Sequence, residues 1–476
     1  MNERGSAAGN PFEDHEARRV HLAFLDRVAA LRPVDRDLVR LGQMPDLGRW
    51  LEQVEATGGC AHPVYLSGRT VRFDADTGEV LGEFSTRGEP GERLAVRCRN
   101  RRRSVCPACA WQYQGDAFHL VRAGLVGGKG VPAGVAGHPR VFVTLTAPSF
   151  GRVHRVGECH PRCRPICPHG SPVTCGRVHA EDDALVGQPL CGSCYDYVGH
   201  VLWNAHAGQL WKAFGDNLYH RVAARVGVGR TSVRRLVRVS AAKVAEYQKR
   251  GAVHFHAVLR LDGPDGPGSD PPAWATADLL LAVVPGAASA VALRPVESAA
   301  YGERRLRFGT QIEAHVLAGA GDEQVAGYVA KYTSKSTDDT GALDHRITSL
   351  SEVRALRVSG HVRALVGTCW QLGGLPELEV LRLRACAHML GYRGVCLSKT
   401  RVYSTTFGAL RAERTGHRTG RPVVEGGGVE SAWRYAGRGY TAGQALVAAG
   451  IWADLVQSRA LAKEAERERD AGWGRG

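Results

Sequence analysis

The sequence holds no apolar run long enough to cross a bilayer. The longest, Leu279 to Leu293, is broken by Pro285 and Gly286 and falls short of the roughly 20 residues a spanning helix needs. The amino terminus, MNERGSAAGNPFEDHEARR, lacks the apolar segment of a secretion signal, so a cytoplasmic location is expected and no membrane partner. A phosphate-binding loop is also missing. VRAGLVGGKGVPAG contains Gly128-Lys129, but Ala123 stands where the first glycine of that pattern belongs and Gly130 where its Ser or Thr belongs, which excludes a built-in helicase motor of that type. Acid is the scarce charge, with 47 Asp and Glu against 62 Lys and Arg. The resulting net charge of +15 suits either a polyanionic partner, nucleic acid first, or an ordinary basic protein. Internal repeats and low-complexity blocks are absent.

What is present fits two or three domains in 476 residues, 44% of them hydrophobic. Residues 1–59 have helical spacing of apolar positions in HLAFLDRVAALR and DLGRWLEQV. Residues 60–110 form a zinc-ribbon-like segment with four cysteines among arginines. Residues 111–345 alternate helical and strand-like stretches, with a Cys/His-rich insert at 154–195. Strands are expected at RVFVTLT (Arg140 to Thr146), RRLVRVSAAKVAEYQ, AVHFHAVLRL and RLRFGTQIEAHVL, and helices at Asn204 to Val226, Asp278 to Val284 and Glu323 to Ser336. Residues 346–476 look helical and basic, with a linker in GHRTGRPVVEGGGVE.

Two histidines interrupt the apolar run GAVHFHAVLR. On a strand His254 and His256 share one face while Val253, Phe255, Ala257 and Leu259 share the other. On a helix they would stand about 200° apart and could not hold one ion. The preceding strand ends across the Lys249-Arg250-Gly251 turn, where Glu246 and Gln248 share a face and either can supply an oxygen ligand. Two neutral imidazoles and a carboxylate suit Mg²⁺ or Mn²⁺ with positions open to phosphate oxygens. Nineteen histidines in 476 residues give roughly 0.8 His-x-His pairs by chance, so the pair alone decides nothing. Downstream, QVAGYVAKYTSKST places Tyr328 and Tyr332 on one helical face, joined by Lys331 and Lys335. A tyrosine can form a covalent intermediate and a lysine can stabilise phosphate charge; the plain alternative is an amphipathic helix with solvated lysines.

Thirteen cysteines in a reducing compartment point to metal rather than disulfides. Cys106 and Cys109 have knuckle spacing, and Cys60 and Cys98 complete a four-thiolate zinc site. The adjacent Arg101, Arg102 and Arg103 either touch DNA phosphates or form a solvated face. In the insert, Cys167, Cys175, Cys191 and Cys194 make the neatest second zinc site; Cys159 and Cys163 are left over, and another metal is open. One or two structural zinc ions are expected.

VAEYQKRGAVHFHAV followed by YVAKYTSK resembles motifs two and three of the HUH-type rolling-circle replication initiators, in their two-tyrosine branch, and TLT at 144–146 resembles motif one. More closely, GGCAHPV, SVCPACAWQY, VTLTAPSFG, AHMLGYRG and YSTTFGALR resemble the initiators of actinobacterial conjugative and integrative plasmids, over nearly the whole chain. The resemblance implies an α+β HUH endonuclease fold: an antiparallel sheet with the histidines at its centre, helices on its other side, one of which presents the tyrosines, zinc-ribbon-like elements and a helical C-terminal region. It also implies a site-specific nickase and ligase. A Mg²⁺ or Mn²⁺ ion on His254, His256 and Glu246 activates the scissile phosphate of origin DNA, single-stranded at the nick. Tyr328 or Tyr332 takes the 5′ phosphate with Lys331 and Lys335 in support, and host polymerase and helicase carry replication on. A relaxase or transposase of the same chemistry, or a non-enzymatic zinc-containing DNA-binding regulator, are the alternatives.

Overall fold

The computed structural model describes residues 11–159, 166–317, 321–334, 343, 345–419 and 427–473. It is a mixed α+β protein built on antiparallel sheets. The chain divides into two compact units, one made of Met1–Ala110 together with Val424–Gly476, the other of Trp111–Val423. The boundary read at 345/346 lies inside the second unit.

In the first unit, helices Pro11–Ala30, Pro33–Gly42 and Leu47–Ala56 lead into strand Val64–Asp74. That strand lies between Gly427–Arg438 and Val80–Ser85, and its start also pairs with Leu94–Val96. Of the linker expected at GHRTGRPVVEGGGVE, residues 416–419 close the helix Phe407–Thr419, 420–426 lie outside the described residues, and from Gly427 the chain is a strand that pairs antiparallel with Asp74 back to Val64. Leu41, Trp50, Val54 and Ala448, the last from the closing helix Ala442–Trp473, form the small core.

The second unit is organised by a five-stranded sheet in the order Leu397–Lys399, Arg238–Tyr247, Val253–Asp262, Arg140–Leu145, Ile312–Val316, with every neighbour antiparallel. The histidine strand Val253–Asp262 is therefore central. Alternation sorts its residues between two faces. Phe255, Ala257, Leu259 and Leu261 join the larger core beneath helices Tyr197–Val226, Ala277–Ser289 and Gly360–Leu372. On the opposite face Ala242, Val244 and Val258 pack with helices Pro107–Val126, Asp322–Ser334 and Phe407–Thr419. Helices thus cover both faces, and the tyrosine helix lies on the histidine side rather than the other, because Ala326, Val329 and Ala330 bury against Val244 and Val258.

The strand expected at RLRFGTQIEAHVL is shorter, Ile312–Val316. Gly309 breaks it: its N–H donates to the Thr146 carbonyl at 2.7 Å, and a Cβ there would meet the Ala147 carbonyl oxygen at 2.8 Å. The helix at Asp278 runs on to Ser289 through Pro285.

Candidate active site and metal clusters

A tight hairpin sets the site. Gly251 N–H donates to the Gln248 carbonyl at 2.7 Å and Gln248 N–H to Ala252 at 2.9 Å. Gly251 has φ +83°, and a Cβ would meet Leu390 Cδ1 at 2.7 Å, so only glycine suits the turn. The register that follows puts Glu246 directly opposite His254 and Val244 opposite His256. His254 Nε2 and His256 Nε2 approach the same oxygen, Glu246 Oε2, at 3.1 and 3.2 Å. Cis ligands of an octahedral ion with bonds of about 2.1 Å stand about 3.0 Å apart, close to both of these nitrogen–oxygen separations, and all three ligand atoms lie within 4.8 Å of one another. Gln248, the other candidate oxygen donor, instead accepts from Arg250 Nε at 2.9 Å within the turn.

The electrostatics suit a cation. Burial opposes ionisation of Glu246, yet the hydrogen bonds and charges of the two histidines outweigh it and hold the carboxyl below its ordinary value. Burial keeps the His254 imidazole below its ordinary value despite Glu246, and the neutral ring is the ligating form. His256 is further held by Thr144 Oγ1, 3.1 Å from its Nδ1, on the neighbouring strand directly opposite it. Thr144 thereby helps to present Nε2 to the shared oxygen. Sequence reading singled out Thr144 only as part of TLT; the cross-strand pairing is what reveals its partner.

Both tyrosines reach this cluster. The His256 ring centroid is 5.5 Å from that of Tyr328 and 5.2 Å from that of Tyr332, and the two phenols are 4.5 Å apart. Phe142 stacks on His256 at 5.8 Å and meets Tyr328 edge-on at 5.6 Å. Tyr328 is 41% exposed, whereas Tyr332 is half-buried. Burial, reinforced by a hydrogen bond to Tyr328, raises the Tyr332 phenol above its ordinary range. Lys331 is exposed on the same helix, and Lys335 lies outside the described residues.

Three cysteine clusters accompany the site. In the first unit, Cys60, Cys98, Cys106 and Cys109 bring their sulfurs together, with separations of 3.6, 3.7 and 3.8 Å. Backbone N–H groups of Ala61 and Cys98 point at Cys106 and Cys60 sulfur at 3.4 and 3.3 Å. Arg103 beside it is exposed, Arg101 half-buried and Arg102 buried, so Arg102 departs from the surface run expected there. In the insert the partition differs from Cys167, Cys175, Cys191 and Cys194. His169 joins Cys167, Cys191 and Cys194, whereas Cys175 groups with His154, Cys159 and His179. Cys175 is drawn away because it follows the Gly157–Cys159 strand's partner contacts: Gly176 N–H donates to Cys159 at 3.1 Å, and Cys159 pairs with Arg177. Cys163 lies outside the described residues. Each set could hold a metal ion. Cys369 is buried in the larger core, Cys396 is buried with its Sγ against the Ala245 and Thr333 carbonyls, and Cys386 is half-buried.

With sheet, triad and phenols placed, the comparisons with known proteins define the class: residues 46–453 match the RepSA family model, described as replication initiator protein, pSAM2. A replication initiator protein of Streptomyces ambofaciens is 45% identical over 453 residues, covering 91% of this chain and 96% of that protein. The chain belongs to this family of replication initiators. No solved structure matches it. Among the described residues no helix is long and apolar enough to cross a membrane.

Proposed function

We propose that the chain is a strand-specific DNA nickase and ligase of the HUH type that starts rolling-circle replication at a plasmid origin. The observation that carries this reading is the triad of Glu246, His254 and His256 facing two phenols, with His256 in ring contact with both. Glu246, His254 and His256 would hold Mg²⁺ or Mn²⁺. When bound, such an ion supplies Lewis-acid polarisation of the scissile phosphate.

The more exposed Tyr328 attacks first. Its phenolic oxygen bonds to phosphorus, the bond from phosphorus to the 3′ oxygen breaks, and that oxygen leaves and takes up a proton. One phosphodiester is exchanged for another, so no nucleotide hydrolysis is needed. Tyr332 repeats the step on the regenerated origin, and the released 3′ hydroxyl attacks the first phosphotyrosine to close the circle. Lys331 lies on the helix that carries the phenols, and together with Lys335 it would offset phosphate charge. Origin DNA, single-stranded at the nick, is the substrate. Host polymerase extends the 3′ end and a host helicase opens the duplex, in the cytoplasm.

The test incubates the full chain with a single-stranded origin oligonucleotide and Mn²⁺. We expect a denaturation-resistant adduct, reduced at least 100-fold by Tyr328→Phe, absent in the Tyr328→Phe/Tyr332→Phe double variant, and absent in His254→Ala with DNA affinity changed less than about threefold. A regulator without enzymatic activity gives no adduct with the parent chain, and that result overturns the proposal.

A further inference from the structure

We infer that His154, Cys159, Cys175 and His179 form a structural zinc site of their own, separate from the ion held by Cys167, His169, Cys191 and Cys194. The four ligand atoms converge within 4.8 Å of one another. His154 Nδ1 is 3.1 Å from His179 Nε2, Cys175 Sγ is 3.2 Å from that nitrogen, and Cys159 Sγ is 3.9 Å from His154 Nδ1. Tetrahedral zinc with ordinary bond lengths spaces its ligands from about 3.3 Å between nitrogens to about 3.8 Å between sulfurs, and these separations bracket that range. Hydrogen bonding offers no comparable reason for two thiols and two imidazoles to meet at one point.

The surroundings are those of a zinc centre. Asp183 Oδ2 accepts from His179 Nδ1 at 2.6 Å, which commits the other ring nitrogen, Nε2, to the cluster. Cys159 and His179 are buried, at 0% and 1% exposure. They come from the two strands of a short antiparallel pair, Gly157–Cys159 with Arg177–His179. That pair is too small to be stable alone, and a metal cross-link is the kind of staple such a segment needs. Four protein ligands leave no open position, so the site is structural rather than hydrolytic.

The site also shapes a wall. His154 N–H donates to Gln188 at 2.9 Å and Gly187 N–H returns to His154 at 2.8 Å. At Gly187, φ +88°, a Cβ would meet the Lys249 carbonyl carbon at 2.5 Å, so this ligand's own backbone pairing lies against the hairpin turn. A cavity of about 580 Å³ opens there, with residues 151–156 on one side and Gln248, Lys249 and Arg250 on the other. Zinc at this tetrad therefore fixes the cavity wall that carries Arg152 and Arg155, across from the Gln248–Arg250 turn that follows the Glu246 strand.

Zinc is counted per full-length chain by plasma mass spectrometry after dialysis against a weak chelator. Cys175→Ser and Cys194→Ser should each hold one equivalent fewer than the parent, and the double variant two fewer. His179→Cys, which keeps four ligands, should retain the parent count. If the double variant loses no more than either single variant, the insert has one site and the inference is wrong. Should Cys175→Ser strip every ion by unfolding, His179→Ala decides: a loss of one equivalent with hydrogen exchange in the five-stranded sheet unchanged supports the site, and the full parent count overturns it.

Discussion

Lys243 illustrates what a single residue can cost a sheet. It occupies the face opposite the histidines, 8% exposed, with its ammonium 4.5 Å from the Phe255 ring centroid and 5.6 Å from that of Trp211. Burial pulls its pKa down to about 8, against an ordinary value of about 10.4. The folded pKa lies below the unfolded one, so between those values the unfolded chain binds more protons and stability rises with pH. Below about pH 8 the penalty is fully present, at most about 3 kcal/mol. Lys243→Met should therefore stabilise the sheet by about 1–3 kcal/mol at pH 7 and flatten the rise between pH 8 and 10, read by hydrogen exchange of the strand amides at pH 7 and by urea unfolding across that range. A variant less stable than the parent at pH 7 would show that the aromatic contacts outweigh desolvation. In the sequence Lys243 is one more lysine in an alternating strand; only the packing of Trp211 and Phe255 around it shows that it is buried.

At the scale of elements, the hairpin from Glu246 to His256 was legible because period-two alternation and a Gly-containing turn set its register without help from the rest of the chain. The side of the sheet on which the tyrosine helix docks was not, since its small residues Ala326 and Ala330 suit either face and the choice rests on long-range contacts. An ion pair fastens that helix. Arg140, first residue of the strand bearing Thr144, donates through Nη2 to Asp322 Oδ2 at 2.7 Å, and both side chains are buried. Asp322 opens the helix Asp322–Ser334. Arg140 Nη1 also donates to the Ala136 carbonyl at 2.5 Å. Burial raises the Asp322 carboxyl above its ordinary value even beside Arg140, a sign that attraction does not fully offset desolvation. Removing one partner strands a buried charge, so Arg140→Met should cost about 3–5 kcal/mol. The double variant Arg140→Met/Asp322→Leu should recover most of that loss. Denaturant unfolding of the four corners of the cycle measures it; additive losses would mean the pair does not act as a unit.

At the scale of the whole chain, the first unit is discontinuous: its polypeptide leaves at Ala110 and returns at Val424. Sequence reading follows the chain in order, so a strand supplied from 427–438 to a partner at 64–74 leaves no local signal, and the glycines of GHRTGRPVVEGGGVE read as a linker. The consequence concerns truncation. The last 53 residues contribute an edge strand along the full length of Val64–Asp74. They also contribute Ala448, packed with Leu41, Trp50 and Val54, and Trp452, packed against the Cys60, Cys106 and Cys109 cluster. A chain ending at Val423 would expose the Val64–Asp74 edge and open the four-cysteine cluster to solvent, rather than shed an independent tail. Limited proteolysis should then cut within residues 47–110 at least tenfold faster than in the full chain, and any metal ion bound by the four cysteines should be lost with it. Hydrogen exchange in the five-stranded sheet should stay unchanged, because its strands and both covering cores lie within 111–423. Protection of residues 47–110 at the full-chain level in the truncated protein would contradict this account and make 424–476 a dispensable appendage.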